Sequence, residues 1–342
     1  DLRRSRGLGD VYKRQGGTNG FSGRVMRVLL AGATGYIGAA VLRELLSQHH
    51  EVLALVRPGR ALTPGLEPAI TRIEADITHD AEWDSRLPPV EAVISCLASR
   101  SGAPRDAREV EYEANCQLLE YAERVGARHF VLLSAICVQK PRLAFQREKL
   151  KFEARLHDSP VPGTIIRATA FFRSLVGQFE RVRAGKPFLL FGSGHLTACK
   201  PISDSDLARF IVTQLDASPS GTVMRPIGGP GPALTPQDQG RMLCKALDKP
   251  FRTTSLPPEM FDWLRWLLSP LALISRRMRD RLEFLRIAKF YATESMLCWD
   301  DSANRYDAEA TPEFGEDTLA DFYEKLSAGE VSIPERGEHS LF

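Results

Sequence analysis

Short, almost unbroken apolar runs recur along the chain, separated by stretches with helical spacing. The runs VMRVLLA (25–31), EVLALV (51–56), AITRIEA (69–75), EAVISCLA (91–98), HFVLLSA (129–135) and GTIIRA (163–168) leave hardly any position to face water. Strands of this kind belong to a parallel sheet buried on both faces. Helices are expected over 36–47, 107–125, 143–157 and 171–184, where apolar residues return every three to four positions. The alternation predicts an α/β chain with a doubly wound parallel sheet. Beyond about 185 the order loosens: Pro187, Gly192, Gly194, Pro201 and GGPGPALTP (228–236) punctuate short elements, and helices rich in Trp, Leu and Arg are expected over about 257–292. Residues 24–184 are therefore expected to form the core, and 185–342 a smaller lobe over the strand ends. The stretch 1–23 sets Arg3, Arg4, Arg6, Lys13 and Arg14 among Gly and Ser without apolar periodicity, and is expected to be a non-native or disordered tail.

The segment AGATGYIG (31–38) follows the first run directly and opens the first helix. Gly32, Gly35 and Gly38 stand where a tight turn, a close backbone approach and helix packing exclude side chains, with Thr34, Tyr36 and Ile37 between and beside them. That context suits a dinucleotide whose pyrophosphate lies on the free N–H groups of a helix N-terminus, so an NAD(P)-binding Rossmann fold is expected. The end of the second run selects the cofactor. An acidic residue there would accept from ribose hydroxyls, but the chain reads Val56, Arg57, Pro58. The Arg57 guanidinium matches a 2′-phosphate, so NADPH is expected over NADH. Asp76, after the third run, is a candidate acceptor for the adenine amino group, although Asp is also a common helix cap. Ser95, Cys96, Leu97 and Ala98, after the fourth, are candidates to line the adenosine and ribose.

Composition narrows the class further. The chain is 43% hydrophobic and 26% charged, and 45 Lys and Arg against 43 Asp and Glu leave a net charge of +2. That is an ordinary globular balance with no electrostatic footprint for nucleic acid. Six cysteines stand singly with no CxxC pair, so no metal site is signalled and a reducing intracellular compartment is expected. The longest apolar stretch, 261–274, contains Asp262 and Arg265 and is too short to span a bilayer. Arg265, Arg276, Arg277, Arg279 and Arg281 accompany Trp and Leu there. Such basic amphipathic helices suit an anionic membrane surface or a substrate carboxylate; a solvated basic face is the alternative.

The glycine segment resembles the extended and atypical, NmrA-like branches of the short-chain dehydrogenase/reductase superfamily. The strings SCLASRSG (95–102), HFVLLSAICVQKP (129–141), FQREKLKFEA (145–154), IIRATAFFRSL (165–175), CKPISDSDLA (199–208), PIGGPGPALTPQDQG (226–240) and YATESMLCWD (291–300) together resemble the divinyl chlorophyllide 8-vinyl reductase family of chlorophyll and bacteriochlorophyll biosynthesis. The likeness runs from about residue 27 to the C-terminus, with Ala168 departing from an expected Pro. It implies NADPH-dependent reduction of an 8-vinyl group to ethyl on a tetrapyrrole, divinyl chlorophyllide or protochlorophyllide, whose magnesium belongs to the substrate. It also implies the cytoplasm of a phototrophic bacterium, with peripheral contact to the photosynthetic membrane, or a chloroplast.

The same resemblance assigns residues. Ketone-reducing members of the superfamily place a Tyr four residues before a Lys; here Lys149 remains and Phe145 takes the Tyr position. Phe has no proton to give, so a conjugated C=C bond, whose negative charge spreads into a macrocycle, suits the site better than a carbonyl. Lys149 is implied as donor to the nicotinamide ribose, its alternative being a solvated Lys beside Arg147, Glu148 and Lys151. Ser134, whose alternative is a strand-end cap, and Arg167 join the cofactor set, and Phe145, Phe171, Phe172 and Lys200 the substrate set. Phe191, Phe261, Trp263, Trp266, Phe284 and Phe290 could build an apolar slot or plain core. Tyr112, Cys137, Cys199, Tyr291 and water stay open as the source of the later proton. An NADP(H)-sensing NmrA-like regulator and an isoflavone-reductase-like enzyme are the alternative functions.

Overall fold

A computed structural model describes residues 24–331 apart from 63–68, 81, 86, 218, 273 and 274; the expected tail at 1–23 lies outside the described residues. The strands are β1 (Arg27–Ala31), β2 (Glu51–Val56), β3 (Thr71–Glu74), β4 (Ala92–Ser95), β5 (His129–Ala135), β6 (Gly163–Ala168), β7 (Phe188–Phe191), β8 (Val223–Ile227), β9 (Thr253–Leu256), β10 (Cys298–Asp300) and β11 (Arg305–Asp307). The α-helices are α1 (Tyr36–Ser47), α2 (Pro104–Ala107), α3 (Ala114–Val125), α4 (Ala144–His157), α5 (Phe179–Arg183), α6 (Asp204–Thr213), α7 (Pro236–Ala246), α8 (Met260–Ala272), α9 (Arg276–Thr293) and α10 (Leu319–Ser327). Seven strands form one sheet in the order β3-β2-β1-β4-β5-β6-β8, every neighbouring pair parallel.

Strand periodicity splits the core into two layers. Val28 and Leu30 of β1 face a cluster with Leu42 and Leu45 of α1 and Leu207, Phe210 and Ile211 of α6. Leu29 and Ala31 face the other side, with Leu118 and Leu119 of α3 and Phe152 and Leu156 of α4. Alternate residues of each strand are thus claimed by opposite helix layers, as the apolar runs require. Each large side chain fully buried there contributes about 1.5–3 kcal/mol.

Two expectations change. The stretch 171–184 is not one helix: a 3₁₀ turn, Phe172–Leu175, precedes the short α5. Phe171 is held extended, because Ile202 N donates to Ala170 O at 2.9 Å and Phe172 N to Ile202 O at 3.2 Å, so a helix cannot start there. The seventh strand, β8, contains Pro226, which offers no N–H; as the sheet edge it pairs with β6 alone and tolerates the loss. The segment 185–342 is also not confined to a lobe, since it contributes to the first core layer and to the sheet. Its α6 and β8 rejoin the core sheet, while β7, α7 and α10 enclose a separate cluster with Phe172 and Phe179.

One buried ring gives the core a pH dependence. His129, on β5, is 4% exposed, its Nε2 lies 2.9 Å from Thr164 Oγ1, and burial pushes its pKa down to about 4. An unfolded His near 6.5 binds more protons between those two values, so stability is full above the upper one and falls as pH drops toward the lower. The loss is at most about 3 kcal/mol. Urea unfolding compared at the two ends of that window is expected to show this slope, and His129→Gln to remove most of it.

Candidate cofactor and active site

Strand order reverses direction between β1 and β4, and a ligand of a doubly wound sheet sits outside the carboxyl ends of such a pair. The chain leaves β1 through Gly32 at φ +86°, where a Cβ would stand 2.7 Å from the Cys96 carbonyl oxygen. A Cβ on Gly38 would stand 2.0 Å from the Gly32 carbonyl oxygen. Gly35 begins α1 in extended conformation with no side-chain cap, and Thr34 and Gly35 are exposed while Ile37 is buried. The first-turn N–H groups therefore have no internal acceptor and point into a hollow that only glycines leave open. This cradle fits a pyrophosphate.

The remaining candidates fall into two groups. Around the cradle, Arg57 is exposed at the end of β2, where Arg60 N donates to Arg57 O at 3.1 Å across Pro58 and Gly59. Leu97 is half-buried and Ala98 exposed after β4. Asp76 accepts from Thr78 Oγ1 at 2.6 Å, Thr78 N at 3.1 Å and His79 Nδ1 at 3.3 Å. Burial would raise its pKa, but these hydrogen bonds hold it below the usual value, so it caps its own turn. Ser95 is buried and donates to Asn115 Oδ1 at 2.5 Å. The Tyr36 hydroxyl donates to Asp204 Oδ1 at 2.9 Å under the Arg173 guanidinium, bracing α1 against α6; its backbone N–H stays with the cradle. Arg57→Ala is expected to weaken NADPH by about 10–100-fold while leaving NADH nearly unchanged, the worth of one charge-assisted contact, read by nucleotide fluorescence titration.

Beside the cradle lies a buried polar cluster that sequence reading missed in part. Between α2 and α3 the helix widens into a π turn, Arg108–Glu113, which carries Glu111 into the interior. Glu111, 2% exposed, accepts from Ser99 N and Oγ, both at 2.8 Å, and pairs with Lys149 Nζ at 2.7 Å. Lys149, on α4, is 8% exposed and so not a solvated surface lysine. A charge at that depth needs a partner, and Glu111 supplies it. Burial raises the nearby Cys96 thiol to about 12 and raises Cys137, with Lys149 pulling both the other way. Phe145, one turn ahead of Lys149, packs against the cluster that includes Cys137, Ile287 and Phe290, and Tyr291 packs against the same cluster. Asn115 and Gln146 complete the cluster: Asn115 Nδ2 donates to the Val110 and Glu111 carbonyls at 3.2 and 3.0 Å, and Gln146 Nε2 to Cys137 O at 3.1 Å.

Other expected residues sit elsewhere. Ser134 donates to Glu153 Oε1 at 2.5 Å, and Arg167 Nε meets both Glu153 oxygens at 3.2 and 3.3 Å, so both side chains are engaged within the fold. Lys200, 4% exposed, pairs with Glu313 and holds the segment after β11. Phe172 packs against Phe322 with ring centroids 5.4 Å apart in the lobe interior, and Phe171 is half-buried against the core. No signal in the sequence marks the π turn. The one trace of Asn115 is a polar residue on the buried stripe of Leu118, Leu119 and Ala122.

Residues 32–218 match a sequence-family model described as NAD(P)H-binding. Among solved structures, an enzyme of Bordetella bronchiseptica in complex with NAD and UDP superposes with a TM-score of 0.62 over 90% of this chain and 96% of its own, at 15% identity. UDP-glucuronic acid 4-epimerase from Bacillus cereus in complex with NAD gives 0.58 over 68% and 86%, at 21% identity. Sheet, cradle and these likenesses define an NAD(P)H-binding protein of the Rossmann class. A relative from Oryza sativa subsp. indica, divinyl chlorophyllide a 8-vinyl-reductase, chloroplastic, is 42% identical over 92% of this chain and 82% of its own length. The Arabidopsis thaliana protein of the same name is 40% identical over 92% and 79%. The chain belongs to the divinyl chlorophyllide a 8-vinyl-reductase family.

Proposed function

We propose that this chain reduces the 8-vinyl group of a divinyl chlorophyllide to ethyl at the expense of NADPH. The observation that carries the reading is its 42% identity over 92% of the chain to a relative named for that activity. The site supports it independently. Bound NADPH supplies a hydride, and the hollow formed by Gly32, Gly35 and Gly38 together with Arg57 suits its phosphates. Phe145 takes the acid's place on α4, which suits a reaction in which no oxyanion forms. Ile287, Phe290 and Phe145 present an apolar wall that keeps water from the reacting carbons, and the Lys149–Glu111 pair adds no net charge beside it. Positioning then does most of the catalytic work. Mixing the protein with NADPH and divinyl chlorophyllide is expected to shift the Soret band to the blue as NADPH is consumed. Tight NADPH binding with an unchanged pigment spectrum would favour the sensor reading.

The pair α8 and α9 supports a peripheral seat on the photosynthetic membrane. Trp263, Trp266 and Leu267 are 65%, 79% and 65% exposed, Phe284 is exposed beside them, and exposed Arg277, Arg279 and Arg281 lie on the adjoining helix. Asp262, joined to Lys289 and Arg265, clips the two helices together. The Arg276 side chain lies outside the described residues. No helix among the described residues is long and apolar enough to cross a bilayer, so the contact is one of insertion at the interface. Exchanging Trp263 and Trp266 for Ser is expected to lower partitioning onto anionic vesicles by about tenfold or more while leaving neutral-buffer activity intact. Equal sedimentation of variant and parent with such vesicles would remove the membrane from the proposal.

A further inference from the structure

Reduction of a vinyl group needs a proton on its inner carbon after the hydride has gone to the terminal one, and Phe145 has none to give. The structure separates the four side chains that the sequence left open. Tyr112 shares a hydrogen bond with Cys116 and packs into the α3–α4 core layer with Leu118 and Phe152, outside the cluster that contains Phe145. Cys199 borders the cluster that contains Phe145, but its thiol is turned to Gln239 Nε2 at 3.4 Å and the Leu234 carbonyl at 3.9 Å. Cys137 and Tyr291 hydrogen bond to each other in the cluster that contains Phe145.

Tyr291 reaches that cluster from α9, which crosses the start of α4. Ala144 N donates to Glu283 Oε1 at 3.0 Å, and Ile287 packs over Phe145 and the Gly102 turn, where a Cβ would meet it at 2.8 Å. The Tyr291 ring is set edge-on against Phe290 with centroids 5.7 Å apart. Its hydroxyl lies within the field of Glu111, the carboxylate that holds Lys149. A phenol therefore enters from α9 the pocket in which α4 offers only a phenyl ring. Burial keeps that phenol protonated throughout neutral pH, so the proton is always present.

Resting on the vinyl-reductase reading, we propose that Tyr291 is the proton donor: its O–H bond breaks as the inner vinyl carbon takes the proton, while NADPH, having given its hydride to the terminal carbon, leaves as NADP⁺. The phenolate regains its proton from solvent after product release, with the Cys137 thiol as its hydrogen-bond partner meanwhile.

The test runs the reaction in deuterium oxide and locates deuterium on the methylene of the new ethyl group by NMR. An enzyme-borne donor delivers it to one side only. Wild-type protein is expected to give one-sided labelling. Tyr291→Phe is expected to turn over about a hundredfold more slowly or worse, with label scrambled between both sides and NADPH affinity and melting temperature close to wild type. Cys137→Ala is expected to keep one-sided labelling. Scrambled label from wild type overturns the assignment without any variant. Full rate with one-sided label in Tyr291→Phe, or scrambling confined to Cys137→Ala, overturns it as well. A wild-type protein that binds NADPH but leaves the pigment unreduced overturns the functional reading along with it, a result distinct from the others.

Discussion

Gly38→Ala is expected to lose NADPH binding by two orders of magnitude or more. The new Cβ would stand 2.0 Å from the Gly32 carbonyl oxygen, far inside contact distance, and the obstacle is backbone rather than a side chain that could swing away. Gly32 is itself fixed by its positive φ and by the Cys96 carbonyl, so the turn cannot yield on that side. The first turn of α1 must move instead, carrying with it the N–H groups that would hold the phosphates. Loss of two charge-assisted hydrogen bonds at about 1.5–3 kcal/mol each corresponds to roughly two to four orders of magnitude in affinity. Gly126→Ala is the control: Gly126 ends α3 at φ +67° with nothing within 4 Å of an added Cβ. Its cost is about 1 kcal/mol of backbone strain, with NADPH binding untouched. Fluorescence titration and thermal unfolding of both variants separate the two effects, and normal NADPH affinity in Gly38→Ala would rule out the cradle as the phosphate site.

Breaking the Lys149–Glu111 pair is expected to cost about 3–5 kcal/mol of stability, as for other buried pairs that lose one partner. Glu111→Gln keeps an acceptor for Ser99 but leaves the ammonium group uncompensated; Lys149→Met strands the carboxylate. The double variant Glu111→Gln with Lys149→Met removes both charges, keeps an acceptor for Ser99 and is expected to recover most of the loss, though not the activity. Urea unfolding of the four proteins closes the cycle. Single variants within about 1 kcal/mol of the parent would mean that the pair is hydrated and weak, which the burial of both side chains argues against.

The sheet was legible because each central strand is covered on both faces, so its residues form an apolar run with no need of context. The five inner strands declare themselves in this way, while the edge strand β3 is largely exposed and carries a single apolar residue, Ile73. The edge strand β8 does not, since Pro226 and its single neighbour remove both the run and the pairing pattern. The cradle was legible for a similar reason: three glycines after a strand answer to local sterics. The polar cluster was not. Lys149 could be placed from the superfamily resemblance, but Glu111, in the string REVEYEAN, looks like any charged residue on a solvated helix face. Nothing local predicts that the helix widens there, or that α9, about 130 positions on from α4, brings Tyr291 to the same cluster. Lys200 and Arg167 have their charges matched by Glu313 and Glu153, partners that only tertiary structure brings near.

The π turn ahead of α3 counts residues as strictly as a gear counts teeth. Deleting one residue from Arg108–Glu113 would tighten the turn to the ordinary pitch and leave both flanks in their present phase, so Leu118 and Leu119 would keep their places beneath the sheet. Glu111, carried inward by the wide turn, would be drawn off the ammonium group it holds. Surface loops elsewhere absorb changes of length; here a single extra residue sets the place of a buried charge.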